Sequence, residues 1–474
     1  MRARVLSLIG STLLLLPGLP AQTSHAAPAP AVGGPAAAVG DIDGDGRPET
    51  LIGLRRAVDV HLSSTGTRQR ITLGWLGFPV LPNTTFGAAF AVGDLNGDGY
   101  ADLAIGSSGE TERDASHAGA LYIVYGSASG LSSARAQRLS GNTLGLGNLG
   151  ASLAVVNTVE ATFLAAGAPD NGGVVAFFRS GPSGLELATT FGEHQAEGSP
   201  PVTHSDGFGA RLAADGDLLV VGSPYKIVAG HDTAGGVAVL RVTGSTPTVR
   251  GISITQNSAG IPGAAEPYDY FGEAVAIRDG MIAIGVPGEG LGGISPVGMV
   301  QLLGVAPSGT GVVVSPLSAY HQNSPGVPGT NETRDGFGVS VTLARGLTCA
   351  GELVVAIGVP GEDLGSAASA GSVTLLAPGK PECTRSFSQG TGGLGGARES
   401  GDLLGRTLGT LRDPAGGADA LQIGAPEEDV NGYLNAGVAY TVRRTATGWS
   451  RVTYSGKARG QLLGWSLGGT CHLD

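Results

Sequence analysis

One signature recurs seven times along this 474-residue chain, and it limits the fold more than any other feature. Each copy opens on Phe-Gly or Leu-Gly, at Phe86, Leu149, Phe208, Phe271, Phe337, Leu404 and Leu463, at intervals of 59 to 67 residues. Behind the first six comes a short apolar run that closes on glycine: "LAIGSSGE", "LAAGAPD", "LVVGSPY", "IAIGVPGE", "VAIGVPGE" and "LQIGAPEE". A Gly-led run such as "GALYIVY" or "AGVAYTV" follows. A more divergent unit stands ahead of them, "AVGDIDGDGRPETLIG" and then "AVDVHL". Seven complete or nearly complete units therefore run from Gly33 to about Lys457.

Each unit has room for four short strands, and no helical period of useful length interrupts them. The 83 glycines, well over twice the usual share, suit many short strands joined by tight turns. A four-stranded sheet of this size cannot bury both faces alone. Stacking such sheets radially solves the problem, so the repeat predicts an all-β, seven-bladed β-propeller of four-stranded antiparallel blades, one domain over residues 27–474. The rungs of a β-helix are much shorter than this period.

Two units carry a loop that departs from the pattern. In "FGAAFAVGDLNGDGYADLAIG", two strand-like runs flank Asp94, Asn96, Asp98 and Asp102, with glycines at Gly93, Gly97 and Gly99. Oxygen ligands at alternate positions, spaced by glycines that accept unusual backbone angles, fold readily around one hard cation. Asp94, Asn96, Asp98 and Asp102 are expected to ligate Ca²⁺ through side chains and Tyr100 through its carbonyl. "GDIDGDGRPET" repeats the arrangement with Asp41, Asp43, Asp45 and Glu49 and the Arg47 carbonyl, giving two Ca²⁺ sites. An EF-hand needs a Glu at its twelfth loop position and flanking helices. Here those positions are Ile52 and Ile105, and both flanks read as strands. Other units replace the loop with the hairpin dipeptide Asp-Gly, at Asp215-Gly216 and Asp279-Gly280.

The pieces "FG", "GAP" and "GDLNGDGYAD" resemble FG-GAP repeats, which form the propeller of integrin α-subunit heads and of related bacterial secreted proteins. The resemblance extends over nearly the whole chain beyond residue 26. It implies the same fold and the same calcium loop between the first and second strands of a blade. It also implies that the face opposite the metal loops contacts partners. Acids cluster in the loops predicted on that face: Glu110, Glu112, Asp114, Asp170, Asp232, Glu289, Glu362, Asp363, Glu427, Glu428 and Asp429, with Asp206, Asp269, Asp335 and Asp402 just before the Phe-Gly or Leu-Gly pairs. They are expected to ring one mouth of the propeller.

The N-terminus reads "MRARVLSLIGSTLLLLPGLPAQTSHAAPAP", with a basic start, a short apolar run and a small-residue cleavage region. It predicts a secretory signal peptide over residues 1–26 and a secreted, extracellular protein. No run elsewhere reaches the length of a membrane span. The net charge of −11, with only three lysines, argues against nucleic acid as a partner. Three cysteines fit no zinc spacing. In an up-and-down blade, Cys349 and Cys383 fall in connections at the same end, so they are expected to form a disulfide and to leave Cys471 over. "GWSLG" matches the nucleophile elbow Gly-x-Ser-x-Gly, but "LLGWSLGGT" aligns with "LLGRTLGTL" at Leu403, which puts Ser466 in a propeller strand. No catalytic constellation emerges. A monomeric, calcium-binding module for an extracellular protein or glycan is expected. A hydrolase or lyase with its site in the central channel is the alternative. Finally, "GQLLGWSLGG" begins an eighth copy of the first strand, whereas the first unit has Gly33 and Pro35 there. Leu462 to Leu467 should therefore pack against the first blade and close the ring.

Overall fold

The computed structural model describes residues 40–112, 117–170, 172–198, 206–349, 351–391 and 393–467. The predicted signal peptide, Gly33, Pro35, Asp114 and Cys471 lie outside them. Seven antiparallel sheets follow one another along the chain, each paired in sequence order. Blade 1 comprises Thr50–Leu54, Ala57–His61 and Arg68–Ile71. Blade 2 comprises Ala89–Gly93, Asp102–Ser107, Ala120–Tyr125 and Ser132–Ser140. Blades 3 to 7 repeat that pattern, with first strands at Leu153–Asn157, Arg211–Asp215, Ala274–Arg278, Val341–Arg345 and Thr407–Leu411. The helical segments among the described residues are short: Gly141–Leu144, Glu193–Glu197 and the single turn Pro381–Cys383.

The second strands are wholly buried in blades 2, 4 and 7, and their apolar side chains mesh with the neighbouring blade. The core is therefore a set of layers between blades, such as that uniting Phe163, Phe177, Phe208, Leu219 and Leu240. The signature residues make the joint. Phe86, Leu149, Phe208, Phe271, Phe337 and Leu404 are fully buried. The glycine after each has φ near +90°, a region that favours glycine. The glycine one before the end of the second strand faces it. A Cβ on Gly106 would lie 2.1 Å from the Gly150 carbonyl, and one on Gly285 would lie 2.0 Å from that of Gly338. Backbone touches backbone there, so neither position tolerates a side chain.

The seventh joint closes the ring as expected. Gly464 N–H donates to Gly53 O (3.1 Å), as Gly87 donates to Gly106 O and Gly272 to Gly285 O within their own blades. Gly53 N–H returns a bond to Ser466 O (2.9 Å). Leu463 and Leu467 fill the layer formed by Ile52, Leu54, Ala57 and Ala439. The segment around Leu463 to Ser466 thus supplies the innermost strand of blade 1. The Ser466 hydroxyl, fully buried, donates to Gly87 O (2.7 Å). Ser152, Ser340 and Thr407 make the same bond to Gly209, Gly405 and Gly464. Ser466 is one of a series of latches between blades and is no nucleophile elbow.

Cys349 and Cys383 are bonded, with Cα atoms 5.7 Å apart, and tie the first hairpin of blade 6 to its outer connection. No helix among the described residues is long and apolar enough to cross a membrane.

Candidate metal centre and loop face

The two acidic loops precede the second strands of blades 1 and 2, and their first and last acids are held by the same pattern of backbone amides. Asp41 Oδ1 accepts from Gly44 N (2.7 Å) and Asp45 N (3.1 Å), and Oδ2 from Gly46 N (2.8 Å). Asp94 accepts in the same way from Gly97, Asp98 and Gly99. At the far end, Glu49 accepts from Ile42 N (2.5 Å) and Ser63 N (3.3 Å). Asp102 accepts from Leu95 N and Gly126 N, both at 3.0 Å. Glu49 therefore fills the role of Asp102 despite its extra methylene. The Arg47 and Tyr100 amides bond Asp45 Oδ1 (2.9 Å) and Asp98 Oδ1 (3.0 Å), and Asn96 donates to Asp98 (2.9 Å). The loops also touch each other, through Ala101 N–H to Asp41 O (2.8 Å).

The first loop brings one oxygen each from Asp41, Asp43, Asp45 and Glu49 within 4.8 Å of one another. Asp41, Asp43 and Glu49 are buried, and Asp43 Oδ1 has no hydrogen-bond partner. Four carboxylates this close repel one another, and a buried oxygen without a partner is costly. A hard, oxygen-seeking cation answers both costs, so the residues present fit Ca²⁺. Burial, reinforced by Asp43 and Asp41, pushes the Glu49 carboxyl up to about 7. Burial, with Asp98 and Asp94 adding to it, does the same to Asp102. Ser63 and Ser64, which sequence reasoning passed over, cap the first site: Ser63 Oγ donates to Asp45 (2.6 Å) and Ser64 Oγ to Asp43 (2.5 Å). They lie in the outer hairpin of blade 1, and no spacing in the sequence marks them. Elsewhere the acids of the first hairpins meet arginines. Asp217 pairs with Arg241 (2.7 Å) and Asp215 with Arg412 (3.0 Å).

Those arginines also bear on the channel. At the metal-loop end, Asp215–Arg412, Asp279–Arg345 (2.8 Å) and Arg278–Asp419 join the ends of the inner strands of blades 4 to 7. Toward the other mouth, Arg211 and Glu273 pair beside a cavity of only about 20 Å³. A cavity of about 170 Å³ lies beside Glu49, lined also by Pro48, Phe90, Arg412 and Gln422.

The opposite face corrects one expectation. Many acids assigned to its rim are not on the surface. Glu110, Asp206, Asp269, Glu289, Asp335, Asp402 and Glu428 are buried. They face the seams between blades, because the turn after each second strand folds back over the joint. Glu110 accepts from Tyr122 OH (2.8 Å) and pairs with Arg138 (2.5 Å). Asp269, Asp335 and Asp402 accept from the amides of Glu266, Glu332 and Glu399, holding the turn ahead of the signature pair. Gln256, Gln322 and Gln389 donate to Glu289, Glu362 and Glu428. Burial pushes Asp269 and Asp335 up to about 6, and Glu289 and Glu362 up to about 7. Burial raises both Asp402 and Glu428, and the neighbouring Asp402 carboxyl raises Glu428 further. Asp232, Asp363 and Asp429 do stay exposed as expected, and they share this face with exposed apolar and aromatic side chains at Tyr225, Ile227, Tyr268, Tyr433 and Leu434.

Comparison with known proteins agrees with this geometry. The FG-GAP repeat family matches residues 86–124, which hold the second acidic loop and the strands on either side of it. Integrin alpha-7 of Homo sapiens is 32% identical over 132 residues, covering 24% of this chain and 10% of that protein. The matched part is thus a small fraction of the curated relative.

Proposed function

We propose that this chain, an integrin α-like FG-GAP propeller, is a secreted module, stiffened by Ca²⁺, that binds an extracellular protein or glycan. One observation carries the calcium assignment: the four carboxylates within 4.8 Å at Asp41, Asp43, Asp45 and Glu49, with a buried oxygen of Asp43 left without a partner. Glycines at φ of +78° to +90° turn the backbone tightly inside both loops, and in the first the four carboxylate oxygens converge. The ions would sit on the face away from the partner and act on the scaffold.

The binding assignment rests on the likeness to integrin alpha-7 together with the exposed tips of the other face. Tyr225 and Ile227 in blade 4, Tyr268 ahead of blade 5, and Tyr433 and Leu434 in blade 7 project from turns held by buried networks. Rigid aromatic anchors on ordered loops suit recognition, because little side-chain freedom is lost on contact. Binding of the full-length protein to arrays of glycans and of immobilised extracellular proteins tests the reading. A ligand whose affinity falls at least tenfold in a Tyr225→Ser/Tyr268→Ser variant of unchanged melting temperature supports it. Turnover of ester or glycan substrates would favour the channel enzyme instead.

A further inference from the structure

Blades 2, 4, 5, 6 and 7 share one turn, and it carries an ionisable side chain in every case. The residue three past the end of the second strand is Glu110, Lys226, Glu289, Glu362 or Glu428. Each donates its N–H to the last residue of that strand and accepts from the N–H of the glycine that opens the third strand, so the five side chains start from equivalent places. In blades 4 to 7 two further positions recur. A residue fifteen before the Phe or Leu of the signature is Glu193, Gln256, Gln322 or Gln389, and the residue two before it is Asp206, Asp269, Asp335 or Asp402.

The charge balance of these clusters differs between blades. In blade 4 the shared position is a lysine. Lys226 Nζ lies 3.1 Å from Glu193, 2.7 Å from Glu197 and 3.8 Å from Asp206, a cation among carboxylates. In blade 2, Arg138 plays that part for Glu110. In blades 5, 6 and 7 the lysine is a glutamate. Two carboxyls then share the pocket, and no arginine or lysine among the described residues forms an ion pair with Asp269, Glu289, Asp335, Glu362, Asp402 or Glu428. A second observation points the same way. Gln256, Gln322 and Gln389, on side chains no more than 2% exposed, turn their N–H₂ to these glutamates, and the buried amide oxygen on the other side of each carboxamide accepts no hydrogen bond. An orphaned buried oxygen next to two carboxyls, at least one of them buried, is an oxygen donor set without its acceptor.

We propose that the three junctions leading into blades 5, 6 and 7 each bind a hard cation of the Ca²⁺ type, where blade 4 places the ammonium of Lys226. The ligands are the Asp–Glu pairs Asp269/Glu289, Asp335/Glu362 and Asp402/Glu428, completed by the glutamine amide oxygen and water. Half a turn of each carboxamide brings Oε1 to the ion in place of the N–H₂ that now faces the glutamate. These sites lie on the face opposite the acidic loops and pin neighbouring blades together, so they are independent of the two loop sites.

The test is a crystal structure of the full chain grown with Ca²⁺, with anomalous differences recorded at long wavelength. Peaks between the Asp and Glu of all three junctions are expected. Saturating Ca²⁺ with no peak at any of them overturns the proposal and leaves shared protons as the neutralising charge. The loop sites are read separately in the same map, so empty loops would count against the calcium-loop assignment alone. A second measurement transplants the residues of blade 4. In Gln256→Glu/Glu289→Lys, Ca²⁺ bound per chain, measured by equilibrium dialysis, should fall by one, with melting in chelator at or above that of the parent. Unchanged stoichiometry in this variant refutes the assignment at that junction.

Discussion

Removing residues 460–474 takes away the strand that closes the ring, and the cost follows from the contacts it makes. Leu463 and Leu467 are 3% and 1% exposed in the layer between blades 7 and 1. Burying such a side chain contributes about 1.5–3 kcal/mol. Four hydrogen bonds also cross the seam: Gly464 to Gly53, Gly53 to Ser466, Ser466 to Gly87, and Thr407 to Gly464. At about 0.5–1.5 kcal/mol each, they bring the total to roughly 5–12 kcal/mol. A folded domain has about 5–15 kcal/mol in all. The truncated chain should therefore lose most of its cooperative thermal transition, or associate through the exposed edge of blade 1. Circular dichroism melts, urea titration and light scattering of the truncated and full-length proteins measure this. Ser466→Ala is the milder probe, expected to cost about 1–3 kcal/mol by stranding the buried Gly87 carbonyl. A truncated protein that melts as the parent does and stays monomeric refutes the reasoning.

Three further outcomes are expected. Asp98→Ala should remove one bound Ca²⁺ and, with free Ca²⁺ at about a hundred times the dissociation constant, lower stability by about 2.7 kcal/mol, which calorimetry with and without chelator would show. Cys383→Ser should lower stability by about 2–4 kcal/mol through loss of the bond closing a 34-residue separation, read from urea midpoints under non-reducing conditions. In chelator, stability should rise as pH falls from 8 toward 5. Buried Asp269, Glu289 and Asp335 and half-buried Glu362 hold protons up to about pH 6–7 when folded, whereas the unfolded chain releases them near pH 4. Their contribution is full below the unfolded values and lost as pH climbs through the folded ones. Melting temperatures across that range that fall with acidification would contradict it.

The fold was legible because the same joint had to be made seven times. A glycine that must admit a neighbouring backbone, as Gly106 and Gly285 do, and a Phe or Leu that must fill the same hole leave a periodic trace in any one sequence. The acidic loops were legible for a similar reason, since alternate oxygens with glycines between them satisfy few purposes. The fate of the rim acids was not. Asp335 and Glu289 look like any loop carboxylates, and their burial follows from a turn that folds over the seam, which composition does not record. The glutamines at 256, 322 and 389 were missed although their spacing from the signature is constant, because an amide alone suggests no chemistry. Ser63 and Ser64 reach their site from another hairpin, a contact that exists only once the sheet has formed.

The strand around Leu463 also sets an order of events in time. Its Ser466 hydroxyl meets Gly87 across 379 residues of chain. At about 5–20 residues per second of synthesis, the early partner waits on the order of 20–75 s for the late one. Through that interval blades 1 and 2 can pair internally, but the first of them lacks its innermost strand. The growing arc presents an unsatisfied edge to whatever is nearby. Conditions that speed or delay the emergence of the last residues should therefore shift yield between soluble monomer and aggregate, while leaving the finished ring unchanged.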